Sequence, residues 1–222
     1  MQGLDTSWPL MVLTALTLGI RHGLDLDHLA TINAITSTVR HNQVLSKCVG
    51  ILFSLGHGLV VITLSYIIGS GLVQANVPCW LDGFGKWVAI FFLVLFGILN
   101  SIQLFTKEAF TISSGLRTFL ARKKVSSLCI VCIGALFALS FDTISQLSLF
   151  LLSASLQGDW PFSVLLGVFF TLGMMLSDGL NSLFISTILQ RTDSHGTLIL
   201  TRTLSAAISL FSLVQALILF FS

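Results

Sequence analysis

Charge is the scarcest property of this 222-residue chain: Asp, Glu, Lys and Arg together make up 9% of it. Soluble domains carry about 25%. With a hydrophobic fraction of 55% and several apolar runs reaching the roughly 20 residues that span a bilayer, the composition excludes a soluble globular protein. The net charge is +2 and no basic patch is interleaved with aromatics, which excludes nucleic acid as a partner. Cysteine is sparse, and Cys48, Cys79, Cys129 and Cys132 form no disulfide framework and indicate no compartment. The single CxxC lies in the apolar run SSLCIVCIGALF and reads as lipid-facing or packing cysteine. No G-x-x-x-x-G-K-[ST] loop occurs, so the chain hydrolyses no ATP through one. No H-E-x-x-H occurs, and His41 and His195 fall in loops, leaving too few intramembrane histidines for a histidine-box oxidase. We therefore expect no enzyme. The start, MQGLDTSW, has no Lys or Arg before the first apolar run, unlike a secretory signal peptide, and reads as mature sequence.

What is present is an all-α membrane protein of about six transmembrane helices. The expected spans are roughly Trp8–Ile35, Val49–Gly69, Lys86–Phe105, Ser127–Ser153, Pro161–Leu189 and Leu198–Phe221. Nine Lys and Arg fall on one side: Arg40 and Lys47, then Lys107, Arg117, Arg122, Lys123 and Lys124, then Arg191 and Arg202. Lys86 alone falls on the other side. The positive-inside rule puts both termini outside. All four tryptophans (Trp8, Trp80, Trp87, Trp160) map to the outer ends of spans, where an interfacial belt belongs. The whole of 1–222 reads as one transmembrane domain. Its halves are about 8–105 and 127–221, with a cytoplasmic linker over 106–126.

Against this background the stretch RHGLDLDH (Arg21–His28) is anomalous. An ionised side chain at mid-bilayer costs on the order of 2.5–3.5 kcal/mol, yet the first span carries Arg21, His22, Asp25, Asp27 and His28. The second carries His57, the fourth Asp142 and the fifth Asp178. Such residues converge on a shared interior and mark function by default. On an ideal helix His22, Asp25 and His28 share one side, Arg21 lies within that arc, and Asn33 and Thr36 lie close to it. Asp27 points nearly opposite. Either Asp27 serves another helix or the helix unwinds near Gly23, and broken helices at the midplane are a recurrent way to present backbone groups to an ion. Neutral imidazole with carboxylate suits first-row divalent ions such as Ni²⁺, Co²⁺, Zn²⁺ or Mn²⁺. Plainer roles stay open. Asp25 could pair with Arg21 at i+4, His57 could be a packed histidine, and Asp142 and Asp178 could join helices.

The chain also echoes itself. FSLGHGLVVITLS (Phe53–Ser65) and FTLGMMLSDGLNS (Phe170–Ser182) both open F-[ST]-L-G, and Asp25 and Asp142 precede them at equal distance. Three spans per copy give the second copy the opposite orientation. That is an inverted repeat of three plus three, with a site expected between the halves.

These motifs resemble those of the nickel/cobalt transporter family. RHGLDLDHLATI resembles the signature RHAxDADHI, whose core H-x-x-x-x-D-H falls on His22, Asp27 and His28. FSLGHGLVV resembles FSLGHSTVV and carries His57. LSFDTISQ resembles LGFDTATE and carries Asp142. GMMLSDGLNS resembles GMxxxDTxDG and carries Asp178. The four motifs come in order and span about residues 18–185. The resemblance implies a secondary transporter that imports divalent metal, Ni²⁺ or Co²⁺, as its substrate and needs no cofactor. It implies a multi-pass protein of the plasma (inner) membrane. His22, Asp27, His28 and His57 are then expected as metal ligands. Arg21, Asp25, Asn33, Asp142, Gln146, Asp178 and Asn181 are expected along the transport pathway.

Family members typically have eight spans with the first motif in the second, so this chain reads as lacking a first and a last span. Asn33, Gln146 and Asn181 stand where the family carries carboxylates, and each swap keeps shape while removing charge. Export instead of import, or a metal-binding subunit that does not transport, are the alternatives, and a homo-oligomer or an additional subunit is left open.

Overall fold

The computed structural model describes residues 8–71, seven positions between Trp87 and Ser101, and residues 125–139, 144–156, 158–191 and 194–221. All regular structure among the described residues is helical. The helices are α1 (Trp8–Gly23), α2 (Leu26–Thr38), α3 (Gln43–Gly69), α4 (Ser127–Phe137), α5 (Ile144–Ala154), α6 (Trp160–Arg191) and α7 (Ser194–Phe221). A helix satisfies its own backbone, which a chain this apolar requires in lipid. Asp142 and most of the expected linker 106–126 lie outside the described residues.

Among the described residues two helices are long and apolar enough to cross a membrane, α3 and α6. Their 27 and 32 residues reach about 40 and 48 Å at 1.5 Å per residue, against a hydrocarbon core of about 30 Å. Each has a sequence-encoded start. Asn42 caps α3 by accepting from the Leu45 N–H at 3.1 Å. Asp159 accepts from the Phe162 N–H at 3.3 Å at the head of α6, where Pro161 fits because the first turn needs no N–H from it. The two run antiparallel. Gly69 meets Ser163 at one end, and the Ser46 and Ser186 hydroxyls lie 2.5 Å apart at the other. Between them Gly50 lies against the backbone of Asp178, where a Cβ would collide with the carbonyl.

The expected first span is not one helix. Leu24 and Asp25 separate α1 from α2. The Leu24 and Asp25 N–H groups turn back to the carbonyls of Arg21 and His22, both at 3.0 Å, and close α1 tightly. Asp25 is extended (φ −63°, ψ 145°), and its carbonyl accepts from Leu29 at 3.1 Å to start α2. Of the two ways to account for Asp27, the unwinding near Gly23 is what occurs. The expected span Ser127–Ser153 is also two helices: α4 ends at Phe137, with the Ala138 N–H bonded to the Gly134 carbonyl at 3.1 Å. In the expected third span, the described positions from Trp87 to Ser101 are helical. They lie against α7, with Trp87 edge-on to Phe220 and the Ser101 and Ser209 hydroxyls 2.6 Å apart.

The two F-[ST]-L-G segments make equivalent contacts. On α6, Phe170 lies against Gly19 of α1, and Gly173 against the Leu16 carbonyl. On α3, Phe53 lies against Gly134 of α4, and Gly56 against the Val131 carbonyl. The ring of Phe170 sits 5.4 Å from that of His22, and the ring of Phe53 sits 5.5 Å from that of Phe137. Each long helix thus receives the first half of a broken span through the same pair of glycine contacts. The histidine of one contact is a phenylalanine in the other. Two apolar clusters result, one around Ile32, Val49, Phe53, Ile130 and Phe137, the other around Ala15, Val61, Leu149, Leu166 and Phe170.

Candidate metal centre

Between those clusters lie three imidazoles. His22 closes α1, His28 opens α2 and His57 sits mid-way along α3. All three are buried, at 1%, 0% and 1% exposure. Their ring centroids form a near-equilateral triangle, 4.5 Å for His22–His28 and 5.0 Å for each pair with His57. One ring nitrogen from each lies within 4.8 Å of the others. The Nε2 atoms of His22 and His57 are 3.2 Å apart. Two nitrogens bound about 2.0–2.1 Å from one ion sit roughly 2.9–3.4 Å apart, so this pair already has a ligating separation. His28 Nε2 has no hydrogen-bond partner, which leaves its lone pair available.

Carboxylates stand behind two of the rings. His28 Nδ1 lies 3.1 Å from Asp178 Oδ2, and both side chains are fully buried. Ser54 Oγ is 2.6 Å from that same carboxylate oxygen. His22 Nδ1 lies 3.3 Å from Asp25 Oδ2, whose side chain is one-third exposed. A carboxylate on the far nitrogen fixes the tautomer and turns the other nitrogen toward a metal. His57 Nδ1 has no partner. Phenylalanine walls the site: Phe170 against His22, Phe53 and Phe137 against His28, all at centroid distances of 5.2–5.6 Å.

The structure therefore brings together His22, His28, His57, Asp25 and Asp178, and treats the other expected site residues differently. Arg21 is exposed and does not join the buried group, because the end of α1 turns His22 inward and its neighbour outward. It makes no ion pair with Asp25, which takes His22 instead. Asp27 is half-buried. Its Oδ1 accepts from the His28 N–H at 3.0 Å, and it is not part of the three-histidine group. Asn33 accepts from Ser37 Oγ at 3.5 Å along α2. Gln146 is fully buried, and its Nε2 donates to the Ala138 carbonyl at 3.2 Å, joining α5 to the end of α4. Asn181 is half-buried, and its Nδ2 has no partner. Asp142 lies outside the described residues. Among the described residues the three imidazoles are those the sequence singled out, and the carboxylates beside them are Asp25 and Asp178. Sequence reasoning missed Ser54 and the phenylalanine walls. The available signal was Phe53-Ser54 placed one turn before His57, where a helix puts them on the same side.

Three imidazoles without thiolate suit Ni, Co, Zn or Cu, and suit the hard ions Mg and Ca poorly. Comparison with known proteins points the same way. Residues 9–110, which carry all three histidines, match the family described as high-affinity nickel-transport protein. The chain is 31% identical over 207 residues to the nickel transporter NicT of Mycobacterium tuberculosis, covering 78% of this chain and 56% of that one. It is 32% identical over 200 residues to the nickel transporter NixA of Staphylococcus aureus, covering 77% and 59%. It is 26% identical over 205 residues to the cobalt transport protein NhlF of Rhodococcus rhodochrous, covering 78% and 58%. The chain spans a little over half the length of these relatives. No solved structure matches it. With the family match on the histidine-bearing helices and named metal transporters aligned along most of its length, the chain belongs to the nickel/cobalt transporter family.

Proposed function

We propose that this chain is a multi-pass protein of the plasma (inner) membrane that imports Ni²⁺ or Co²⁺ as a secondary transporter. The observation that carries this reading is the convergence of three buried imidazoles from α1, α2 and α3, with one ring nitrogen of each within 4.8 Å of the others and the His22 and His57 Nε2 atoms at ligating separation. A hydrogen bond accounts for the His22–His57 contact, but packing for stability alone gives no reason to bury His28 Nε2 beside it without a partner. The proposed architecture is six spans in two inverted halves, with both termini outside. The equivalent glycine contacts of α1 on α6 and of α4 on α3 support the two-half reading.

In this mechanism a hydrated dication meets Asp27, half-exposed beside His28, and exchanges water for His22, His28 and His57. Rocking of the halves then opens the centre inward, past Asn33 and Asn181. Moving two charges through 100 mV, inside negative, releases roughly 4.6 kcal/mol, twice the single-charge value. That drives uptake without nucleotide. Asp142 and Asp178 belong to the second half's contribution to the pathway.

The test is uptake of radioactive Ni²⁺ and Co²⁺ into vesicles holding the full chain, with His22→Ala, His28→Ala and His57→Ala alongside. Each substitution is expected to abolish saturable uptake. Uptake unchanged in all three overturns the reading. Metal binding without flux in the unaltered chain identifies a metal-binding subunit that does not transport.

A further inference from the structure

The Asp178 carboxylate is the most deeply placed acid beside the triangle, and its two oxygens are unequal. Oδ2 faces both His28 Nδ1 at 3.1 Å and Ser54 Oγ at 2.6 Å, while Oδ1 has no hydrogen-bond partner. An acid serving only to join helices gains by using both oxygens, since a buried unsatisfied acceptor costs about 1–3 kcal/mol. Here both partners converge on the oxygen that faces the imidazole. We propose that Ser54 and Asp178 are positioning residues for His28: the serine hydroxyl fixes the carboxylate, and the carboxylate fixes the ring so that Nε2 faces the ion. The inference rests on the metal centre proposed above and concerns how one of its ligands is aimed.

The geometry of α3 supplies the rest. Gly50 and Ser54 are one turn apart on the helix. Gly50 lies against the Asp178 carbonyl, and Ser54 reaches the Asp178 side chain. Backbone and carboxylate are thus located by the same face of α3. A further turn along, His57 enters the triangle. Phe53, the neighbour of Ser54, presses edge-on to the His28 ring at 5.2 Å. Packing holds the plane of His28, but packing against an apolar ring does not distinguish Nδ1 from Nε2. That choice falls to Asp178. Beside a bound dication the carboxylate is an acceptor only, so His28 carries its proton on Nδ1 and gives its Nε2 lone pair to the metal. Ser54, which also lies 2.8 Å from the Gly50 carbonyl, turns its one proton to the carboxylate. Asp25 serves His22 more loosely, at 3.3 Å from a part-exposed side chain. The Asp178 pair is therefore the fixed one.

The experiment is Co²⁺ titration of the full chain in nanodiscs, reading affinity and the visible absorption band of bound Co²⁺. It compares the unaltered chain, Asp178→Asn, Ser54→Ala, the double variant and His28→Ala. Asp178→Asn is expected to weaken Co²⁺ by about 10- to 100-fold, the range for such outer partners, with a shifted band. Ser54→Ala is expected to weaken it about tenfold, and to add nothing in the Asp178→Asn background, because the serine acts through the carboxylate. Equal affinity and an unchanged band in both single variants overturn the proposal. So does a Ser54→Ala loss that persists undiminished without the carboxylate. If Asp178→Asn does not fold, Ser54→Ala, which only removes an oxygen, decides by its band. Co²⁺ binding that survives His28→Ala, or no binding by the unaltered chain, instead overturns the metal centre itself.

Discussion

His22 and His57 face each other through their Nε2 atoms at 3.2 Å across two helices. With both rings neutral, that contact needs one donor and one acceptor. His22 has Asp25 beside its Nδ1, so its proton belongs there, and His57 donates from Nε2. This leaves the buried His57 Nδ1 without a partner, an arrangement that holds until an ion claims both lone pairs.

Loading the centre is therefore expected to relocate the His57 proton from Nε2 to Nδ1 or to release it. Nitrogen NMR of histidine-labelled protein with and without Zn²⁺, a diamagnetic ion for the same donors, reads this directly. A His57 tautomer that is identical in both states dismisses the arrangement.

Among Arg21 and the three histidines the side chains are expected to split by burial. Replacing His22, His28 or His57 by Ala weakens Co²⁺ binding by more than the roughly 10- to 100-fold typical of outer partners. Arg21→Gln, at an exposed position, changes affinity by less than about threefold, the scale of a surface charge. Isothermal titration on the four variants checks both halves of the statement.

Glycine substitutions on the α3–α6 contact are expected to diverge. Gly50→Ala drives a methyl into the Asp178 carbonyl and destabilises by about 1–3 kcal/mol, the usual scale of overpacking. Its Co²⁺ affinity falls too, because Asp178 shifts. Gly179→Ala meets only the side chain of Ile51, with Cγ1 at 3.2 Å and Cδ1 at 3.7 Å, and costs less than Gly50→Ala. Thermal unfolding of the purified chain separates them, and equal behaviour counts against the contact.

Restoring the family's acids is expected to succeed at one position and fail at the other. Asn181→Asp adds charge at a half-buried site and removes an amide nitrogen that has no partner, so Co²⁺ and Ni²⁺ uptake rises or holds. Gln146→Glu loses the donor to the Ala138 carbonyl in a fully buried place. It costs at least about 1–3 kcal/mol and lowers the amount of folded protein. Uptake and yield measured together settle the pair.

The long helices were legible because nothing in lipid competes with a continuous apolar run. The expected Val49–Gly69 and Pro161–Leu189 lie within α3 and α6, which extend past them by capping turns at Asn42 and Asp159. The three histidines were legible because polar side chains in lipid must converge. The break at Leu24–Asp25 was harder to read. Asp25 is a good helix-capping residue by type, but its side chain makes no cap bond and takes His22, three residues back, instead, so two local roles compete for one carboxylate. The wheel put Arg21 with the histidines because it assumed an unbroken helix. Ser54 was harder to single out for another reason: its place one turn before His57 is local, but its importance depends on a carboxylate 124 positions away.

His22 belongs to the last turn of α1 and His28 to the first turn of α2, and the turn residue Leu24 and the extended Asp25 join the two helices. The spacing of these two nitrogens therefore depends on the angle at that joint as well as on side-chain rotation. A small swing there spreads the triangle while each ring keeps its own phenylalanine, Phe170 for one and Phe53 for the other. In the transport cycle proposed above, that joint is the hinge at which the ion is released.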